Sequence, residues 1–162
     1  MALYSIDKLI EETRRLAAEF RRSTGTMLPV SGEIARYDVS HQLGLDLVSE
    51  AGGYDATGNQ NFTGKRILIK SRVIGESVKS GHRIGQLNPD GNWDMVIVSL
   101  MNNDFEPAEM YMATREEITE ALADKDSKRG KRGALSVAKF KIIGELIWTR
   151  EQGLEPARCH AG

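Results

Sequence analysis

The sequence predicts a single α/β domain, with an α+β organisation as the alternative, in which a mixed central β-sheet is flanked by helices. The predicted order is two helices, three or more strands and two further helices, which is typical of such a domain. With 162 residues, the chain is long enough to bury a core of its own. We expect one domain over residues 1–152 and a flexible tail over residues 153–162.

Two helices are predicted at the N-terminus. Apolar residues recur at helical spacing over residues 5–22, and Ser5 is a suitable N-cap. This stripe consists of Ile6, Leu9, Ile10, Leu16, Ala17 and Phe20. The segment from Ser23 to Pro29 breaks the pattern. A second helix is expected from Ser31 until Glu50 at the latest, before a pair of glycines.

Short strands are predicted in the middle of the chain. The first two are Tyr54–Thr57 and Arg66–Ser71, and the sequence Gly58-Asn59-Gln60 reads as a turn after the first of them. Residues from Trp93 to Met101 are almost all apolar, which indicates a central strand buried on both faces. A further strand is expected over Ala108 to Met112.

The last third of the chain predicts two helices joined by a basic loop. Thr114 and Glu117 have the spacing of a capping box, which predicts a helix to about Leu122. The basic residues of the loop are Lys125, Lys128, Arg129, Lys131 and Arg132. A closing helix from Ser136 to Thr149 would bury the apolar residues Val137, Phe140, Ile143 and Ile147.

Composition limits the classes of function. No apolar run approaches the roughly 20 residues of a membrane span, and the N-terminus lacks the pattern of a secretory signal. A single cysteine, Cys159, excludes an internal disulfide and a cysteine zinc cluster. We therefore expect a cytoplasmic protein with no membrane partner. Because the net charge is −1, a nucleic-acid partner would have to bind a local basic patch.

One acid and one base form the most informative pair. Lys70 lies inside an apolar strand, where an ammonium group is costly unless it reaches water or an anion. By strand alternation, Lys70 shares a face with Leu68, and Ile69 takes the opposite face. If the strand that carries Asp55 pairs with this one, a carboxylate and an ammonium group meet at one edge of the sheet.

Several segments together resemble a known superfamily. They are Thr24-Gly25, Leu28–Glu33, Gly44-Leu45, Gly53–Ala56, Ile69–Arg72, Arg132–Ser136, Phe140 and Trp148. This set resembles the PD-(D/E)XK nuclease superfamily, with its restriction-endonuclease-like fold, and more narrowly a group of small bacterial domains within it. The resemblance covers most of residues 5–149 and implies a core of two N-terminal helices, the sheet and a C-terminal helix.

The resemblance implies a metal-dependent nuclease site. It gives Lys70, Asp55 and Glu33 catalytic roles, and it places Mg²⁺ or Mn²⁺ at Asp55, Glu33 and the carbonyl group of Ile69. The implied reaction is hydrolysis of DNA phosphodiesters. Leu68 departs from the pattern, because the superfamily has Asp or Glu at this position and leucine cannot coordinate a metal.

The positions of the basic residues indicate how nucleic acid would be held. Arg72 lies two residues after Lys70 on the same strand face, where it would bind a neighbouring phosphate. Four residues of the basic loop, Lys128, Arg129, Lys131 and Arg132, are the best candidates for further contacts to the nucleic-acid backbone. Nuclease domains of this kind often pair, so we expect nucleic acid, DNA first, and a second copy of the chain as partners.

The sequence leaves alternatives open. Asp55 would then be a turn residue, Lys70 an edge-strand lysine that extends to water, and Glu33 a charge in the first turn of a helix. Asp94 reads as a strand-entry residue rather than a metal ligand, and Glu76 would be the acid to replace the one missing at Leu68. On this interpretation, the domain binds nucleic acid or a partner protein without catalysis, or works only within a defence or repair assembly.

Overall fold

The structure, a computed structural model, describes residues 5–48, 52–75, 83–123 and 134–155. Within these residues the chain forms four helices and nine strands. The helices are α1 (Ile6–Thr24), α2 (Ser31–Leu43), α3 (Arg115–Leu122) and α4 (Val137–Ile143). The strands are β1 (Leu45–Leu47), β2 (Ala56–Gly58), β3 (Arg66–Val73), β4 (Arg83–Gln86), β5 (Met95–Met101), β6 (Pro107–Thr114), β7 (Ala134–Ser136), β8 (Glu145–Thr149) and β9 (Gly153–Leu154).

Seven of these strands form one mixed sheet in the order β1-β2-β3-β5-β6-β8-β9. β3 and β5 run parallel, whereas the other neighbouring strands described in this sheet are antiparallel. β4 and β7 pair with each other in a separate two-stranded sheet. The predicted class, an α/β fold with a mixed sheet flanked by helices, is confirmed. In the described parts of the chain, no helix is both long and apolar enough to cross a membrane.

The sheet separates two apolar cores. All residues of β5 are buried, which confirms the predicted central strand. Ile97 packs in the core with residues of α1 and α2, and the next residue, Val98, packs in the core with residues of α3 and α4. This alternation follows from the pleat of the strand, and it explains why every residue of β5 except Ser99 is apolar.

The first helix begins where the sequence predicts, but the side that it buries is not the predicted apolar stripe. The Ser5 side chain caps α1 by accepting a hydrogen bond from the Lys8 N–H group at 3.3 Å. The buried residues of α1 are Arg14, Ala17 and Ala18, so most of the apolar stripe lies outside the core. Arg14 tolerates burial because its guanidinium group binds the Asp38 carboxylate at 2.7 and 2.9 Å.

A glycine follows the last residue of two helices, and one predicted helix end is wrong. α2 ends at Leu43, before the predicted limit of Glu50, because Gly44 adopts φ +66° and closes the helix. The closing helix ends at Ile143, and the residues after Gly144 form β8 instead. A Cβ atom at Gly144 would lie 2.7 Å from the Met112 carbonyl oxygen of β6, so this crossing requires glycine.

The end of the predicted domain extends slightly further than expected. Gly153 and Leu154, which we assigned to the tail, form β9 and pair with β8. Residues 156–162 of the predicted tail lie outside the described residues.

Candidate functional site at the edge of β3

Asp55 lies at the edge of β3, immediately before β2. Its backbone N–H group donates to the Ile67 carbonyl at 2.8 Å, and its Oδ2 atom accepts from the Ile69 N–H group at 2.7 Å. Ala56 then pairs with Ile67, which confirms that the strand after Asp55 pairs with the strand of Lys70. The Asp55 side chain therefore takes the place of a backbone partner where the ladder between β2 and β3 stops.

The cation that contacts Asp55 comes from a helix. Arg36 of α2 donates from Nη1 to Asp55 Oδ1, and from Nη2 to the Val48 carbonyl at 3.3 Å. Both carboxylate oxygens of Asp55 thus accept a hydrogen bond, one from Arg36 and one from the Ile69 N–H group. Charge-assisted hydrogen bonds of this kind are about twice as strong as neutral ones.

Sequence reasoning missed Arg36. The available signal was its spacing. Arg36 follows Glu33 by three residues, so both side chains lie on one face of α2, which lies beside β3. The Ser71 hydroxyl group also donates a hydrogen bond to the Ser31 hydroxyl oxygen at 3.4 Å, which joins the strand to this helix. Together these contacts fix the first turns of α2 beside the edge of β3.

Glu33 lies outside this group of contacts. Its side chain is 81% exposed, and its Oε2 atom lies 4.0 Å from Arg36 Nε. It occupies the first turn of α2, where a carboxylate interacts favourably with the helix dipole. The structure therefore places the exposed Glu33 carboxylate next to Arg36 rather than against Asp55.

Lys70 belongs to the other face of the sheet. Ile69 packs in the core under α1 and α2, whereas Leu68 packs against the core under α3 and α4, as the alternation predicted. Lys70 shares the face of Leu68 and is half-buried, opposite Val98 in the register of β3 and β5. In the part of the chain that the structure describes, no carboxylate lies within ion-pairing distance of its ammonium group.

The acid and the base therefore do not meet as a pair. Asp55 is held by Arg36 of α2 and by the main chain of β3, while Lys70 extends from the face that carries α3 and α4. Leu68, in the position where the superfamily has an acid, contributes apolar contact to that same face. Arg72 follows Lys70 on this face and is exposed.

The described residues offer few ligands for a divalent cation as they are arranged. Among the described residues, no group of three or more His, Cys, Asp or Glu side chains is placed to hold a metal ion. Mg²⁺ requires about six oxygen ligands, and both oxygens of Asp55 already accept hydrogen bonds. The Ile69 carbonyl lies on the same strand edge as its N–H group, but Glu33 is exposed and Leu68 cannot coordinate. The predicted Mg²⁺ or Mn²⁺ stays a prediction.

Asp94 has the structural role that the sequence predicted for it. Its Oδ2 atom accepts from the Arg66 backbone N–H group at 2.8 Å and from Arg66 Nε at 3.1 Å. These hydrogen bonds with Arg66 hold the pKa of the Asp94 carboxyl group below its ordinary value. The pair joins the starts of β3 and β5, where Asp94 N–H also donates to the Arg66 carbonyl at 2.8 Å.

Some predicted residues lie outside the described residues. They are Lys128, Arg129, Lys131 and Arg132 of the basic loop, and Glu76, the possible replacement acid. Comparisons with known proteins add no assignment: no known family matches this chain, and no curated protein is significantly similar to it. The resemblance to the PD-(D/E)XK nucleases thus depends on the motif residues of the chain itself.

Proposed function

We propose that this protein binds nucleic acid, DNA in the first instance, beside the edge of β3 without hydrolysing it. The observation that carries the proposal is that Arg36 and the Ile69 N–H group each donate a hydrogen bond to one oxygen of Asp55. A nuclease of the implied type needs this carboxylate for a metal ion. Here an arginine already supplies the positive charge.

The remaining charges favour a phosphate ligand. Arg36 neutralises Asp55, so this carboxylate no longer repels an anion nearby. Lys70 and Arg72 lie on one strand face, and neither forms an ion pair among the residues that the structure describes. When such unpaired cations bind phosphates, the counterions condensed on the nucleic acid are released. This release makes the binding sensitive to salt.

Fluorescence anisotropy with a labelled DNA duplex in excess chelator tests the proposal. The Lys70→Ala/Arg72→Ala double variant should weaken binding and lower the slope of log K against log[salt] by about 2, one for each lost phosphate contact. Arg150→Ala is the matched control, because Arg150 is paired with Glu106 at 2.9 Å. Binding that needs a divalent cation, or that both variants reduce equally, would contradict the proposal.

A second candidate is magnesium-dependent hydrolysis of DNA by Lys70, Asp55 and Glu33. One observation favours it: the Asp55 carboxylate and the Ile69 main chain meet at one strand edge, and Lys70 is the next residue. Hydrolysis would require Arg36 to leave Asp55. Purified protein that nicks plasmid DNA with Mg²⁺ or Mn²⁺, when Lys70→Ala does not, would establish this function instead of binding alone.

A defence or repair assembly and the homodimer both remain predictions from the resemblance. For the assembly, co-purification of a partner protein with the full chain is the direct test. For the homodimer, sedimentation velocity of the full chain over a range of protein concentrations is the direct test.

A further inference from the structure

The first turn of α2 has backbone donors without an acceptor. Its N-cap residue is Val30, whose side chain cannot accept a hydrogen bond. The N–H groups of Ser31, Gly32 and Glu33 have no acceptor within the helix, and none is found among the described residues. By contrast, a serine or threonine side chain caps each of the other three described helices. The start of α2 therefore presents three donors and the positive end of a helix dipole.

The space in front of these donors is open. Gly32 is exposed, and a Cβ atom built on it would have no neighbouring atom within 4 Å. Glu33 is the acid of this turn, but its side chain is 81% exposed and its Oε2 atom lies 4.0 Å from Arg36 Nε. The three N–H groups are therefore available to an acceptor from outside the chain.

A row of three serine hydroxyl groups leads from the buried sheet to the same helix start. Ser99 of β5 and Ser71 of β3 are register partners on neighbouring parallel strands. Both side chains lie on the face that α2 covers, because Ile69 and Ile97, two residues before each, pack in the core with α2. The Ser71 hydroxyl group donates to the Ser31 hydroxyl oxygen at 3.4 Å. We call these three side chains the serine row.

The buried end of the serine row has an unpartnered hydroxyl group. Ser99 is 0% exposed, and its Oγ atom has no hydrogen-bond partner in the part of the chain that the structure describes. Buried polar groups are nearly always hydrogen-bonded, and one left alone costs stability. Ser71 lies between Ser99 and Ser31, so the Ser99 hydroxyl group is directed along the row towards the start of α2.

The outer end of the serine row has a proton to donate. Ser31 is the acceptor in its contact with Ser71, so its own O–H group remains for a further acceptor. Ser71 already donates to Ser31, and its oxygen can accept from Ser99 when the two hydroxyl groups turn towards each other. An acceptor at the start of α2 favours that alignment, because hydrogen bonds in a chain polarise one another.

We propose that the start of α2 binds a small oxyanion of the phosphate type, either as inorganic phosphate or as a phosphate group of a nucleic acid. The three N–H groups of the first turn hold its oxygens. The Ser31 hydroxyl group donates to it as the end of the serine row. All of these groups are donors, which suits a ligand whose oxygens only accept.

This site is separate from the surface of the proposed function. Lys70 and Arg72 lie on the opposite face of β3, whereas Ser71 between them faces α2. The inference does not rest on nucleic-acid binding, because inorganic phosphate can occupy the same donors.

Isothermal titration of the full chain with inorganic phosphate at low ionic strength tests the site. Gly32→Asp places a carboxylate beside the donors, and Gly32→Asn places a neutral side chain of the same shape there. Both have room, and an acid in the first turn stabilises a helix, so both variants should fold. The wild type should bind phosphate, and Gly32→Asp should bind it about tenfold more weakly than Gly32→Asn because the two negative charges repel.

Serine substitutions test the serine row. Ser31→Ala removes the hydroxyl group that contacts the ligand and should weaken phosphate binding about tenfold. Ser99→Ala acts through the row and should weaken it about twofold to threefold, while stability in urea without phosphate stays unchanged or rises. Ser40→Ala is the matched control within α2, because the Ser40 hydroxyl group donates to the Tyr37 carbonyl at 3.0 Å, away from the helix start. It should leave phosphate binding unchanged.

Fluorescence anisotropy with a labelled DNA duplex distinguishes the two sources of the anion. If the phosphate belongs to a nucleic acid, Gly32→Asp should bind the duplex more weakly than Gly32→Asn, and inorganic phosphate should compete with the duplex. If the ligand is free phosphate, the two variants should bind the duplex alike while the titration still separates them. Either result supports the site and identifies its ligand.

Three outcomes would overturn the proposal. The first is a wild-type protein that shows no saturable binding of phosphate. The second is equal phosphate affinity in Gly32→Asp and Gly32→Asn, since any anion would then bind elsewhere on the surface. The third is a Ser99→Ala variant that keeps the full affinity, which would remove the serine row from the site.

Discussion

Two aspartates on opposite sides of β3 have the same bonding pattern, although the sequence assigned them different roles. Asp55 accepts hydrogen bonds from the Ile69 N–H group and from Arg36, and Asp94 accepts them from the Arg66 N–H group and from the Arg66 side chain. Asp94 is a structural residue at the entry of a strand. The comparison indicates that Asp55 is one as well.

The two pairs differ in the origin of the arginine. Arg66 belongs to β3 itself, whereas Arg36 comes from α2 and bridges the helix to the loop before β2. The pair with Arg36 is also less exposed, at 28% and 19% of the two side chains against 43% and 31% for Arg66 and Asp94. We therefore expect Asp55 to matter more for stability than Asp94.

The largest expected effect comes from Asp55→Ala. The change leaves the partly buried Arg36 without its carboxylate and the Ile69 N–H group without its acceptor, so the free energy of unfolding should fall by about 2–3 kcal/mol. Urea denaturation measures it, with the exposed Glu33→Ala as the control that should change little. Removal of a purely catalytic acid often leaves stability unchanged or higher. Unchanged or higher stability of Asp55→Ala would therefore contradict the comparison of Asp55 with the structural residue Asp94.

The second effect is that of Arg36→Gln. Asp55 keeps the Ile69 N–H bond but loses its charged partner, so we expect a loss of about 1–2 kcal/mol in the free energy of unfolding. The freed carboxylate lies beside the Ile69 carbonyl, so this variant should also bind Mn²⁺ more tightly than the wild type in an isothermal titration. Arg66→Gln, which frees Asp94 in the same way, serves as the control. Equal Mn²⁺ affinity in the wild type and Arg36→Gln would show that Arg36 does not exclude the ion.

Asp94→Ala should cost less. Its partner Arg66 can reach water, so we expect a loss of about 1 kcal/mol in the free energy of unfolding, below that of Asp55→Ala. The same urea experiment gives the value. A cost above that of Asp55→Ala would reverse the ranking that burial predicts.

These pairs also show what sequence reasoning could reach. Local patterns were sufficient for the Ser5 cap, for the capping box of Thr114 and Glu117, and for β5 with its apolar residues on both faces. Each depends on residues close together in the chain. The contact between Arg36 and Asp55 spans 19 residues and depends on how α2 lies on the sheet, which no local pattern encodes.

The wrong predictions also come from contacts between residues that are far apart in the chain. The sequence of β8 continues the helical periodicity of α4, but pairing with β6 and the close approach at Gly144 make it a strand. On α1, periodicity identified the apolar stripe but not the side that faces the core. The buried side of α1 instead includes Arg14, whose guanidinium group is bound to the Asp38 carboxylate of α2.

The smallest expected effect concerns pH. The pKa of Asp94 is lowered by Arg66, so its contribution to stability is present above the unfolded pKa of about 3.9 and is lost as the pH falls through the lower folded value. Between about pH 5 and pH 3, the wild type should lose more stability than Asp94→Asn, by less than about 1 kcal/mol because the pair is exposed. Parallel acid dependence in the two proteins would remove this contribution.

The central claim is that Asp55 is held by Arg36 and β3 and is not a metal ligand in the folded protein. Crystals of the wild-type protein soaked in Mn²⁺ test it directly through anomalous scattering. We predict that the Arg36 guanidinium group contacts Asp55 and that no anomalous peak lies beside this carboxylate. A peak within coordinating distance of Asp55 and the Ile69 carbonyl, with Arg36 displaced, would contradict the account and restore the metal-dependent nuclease.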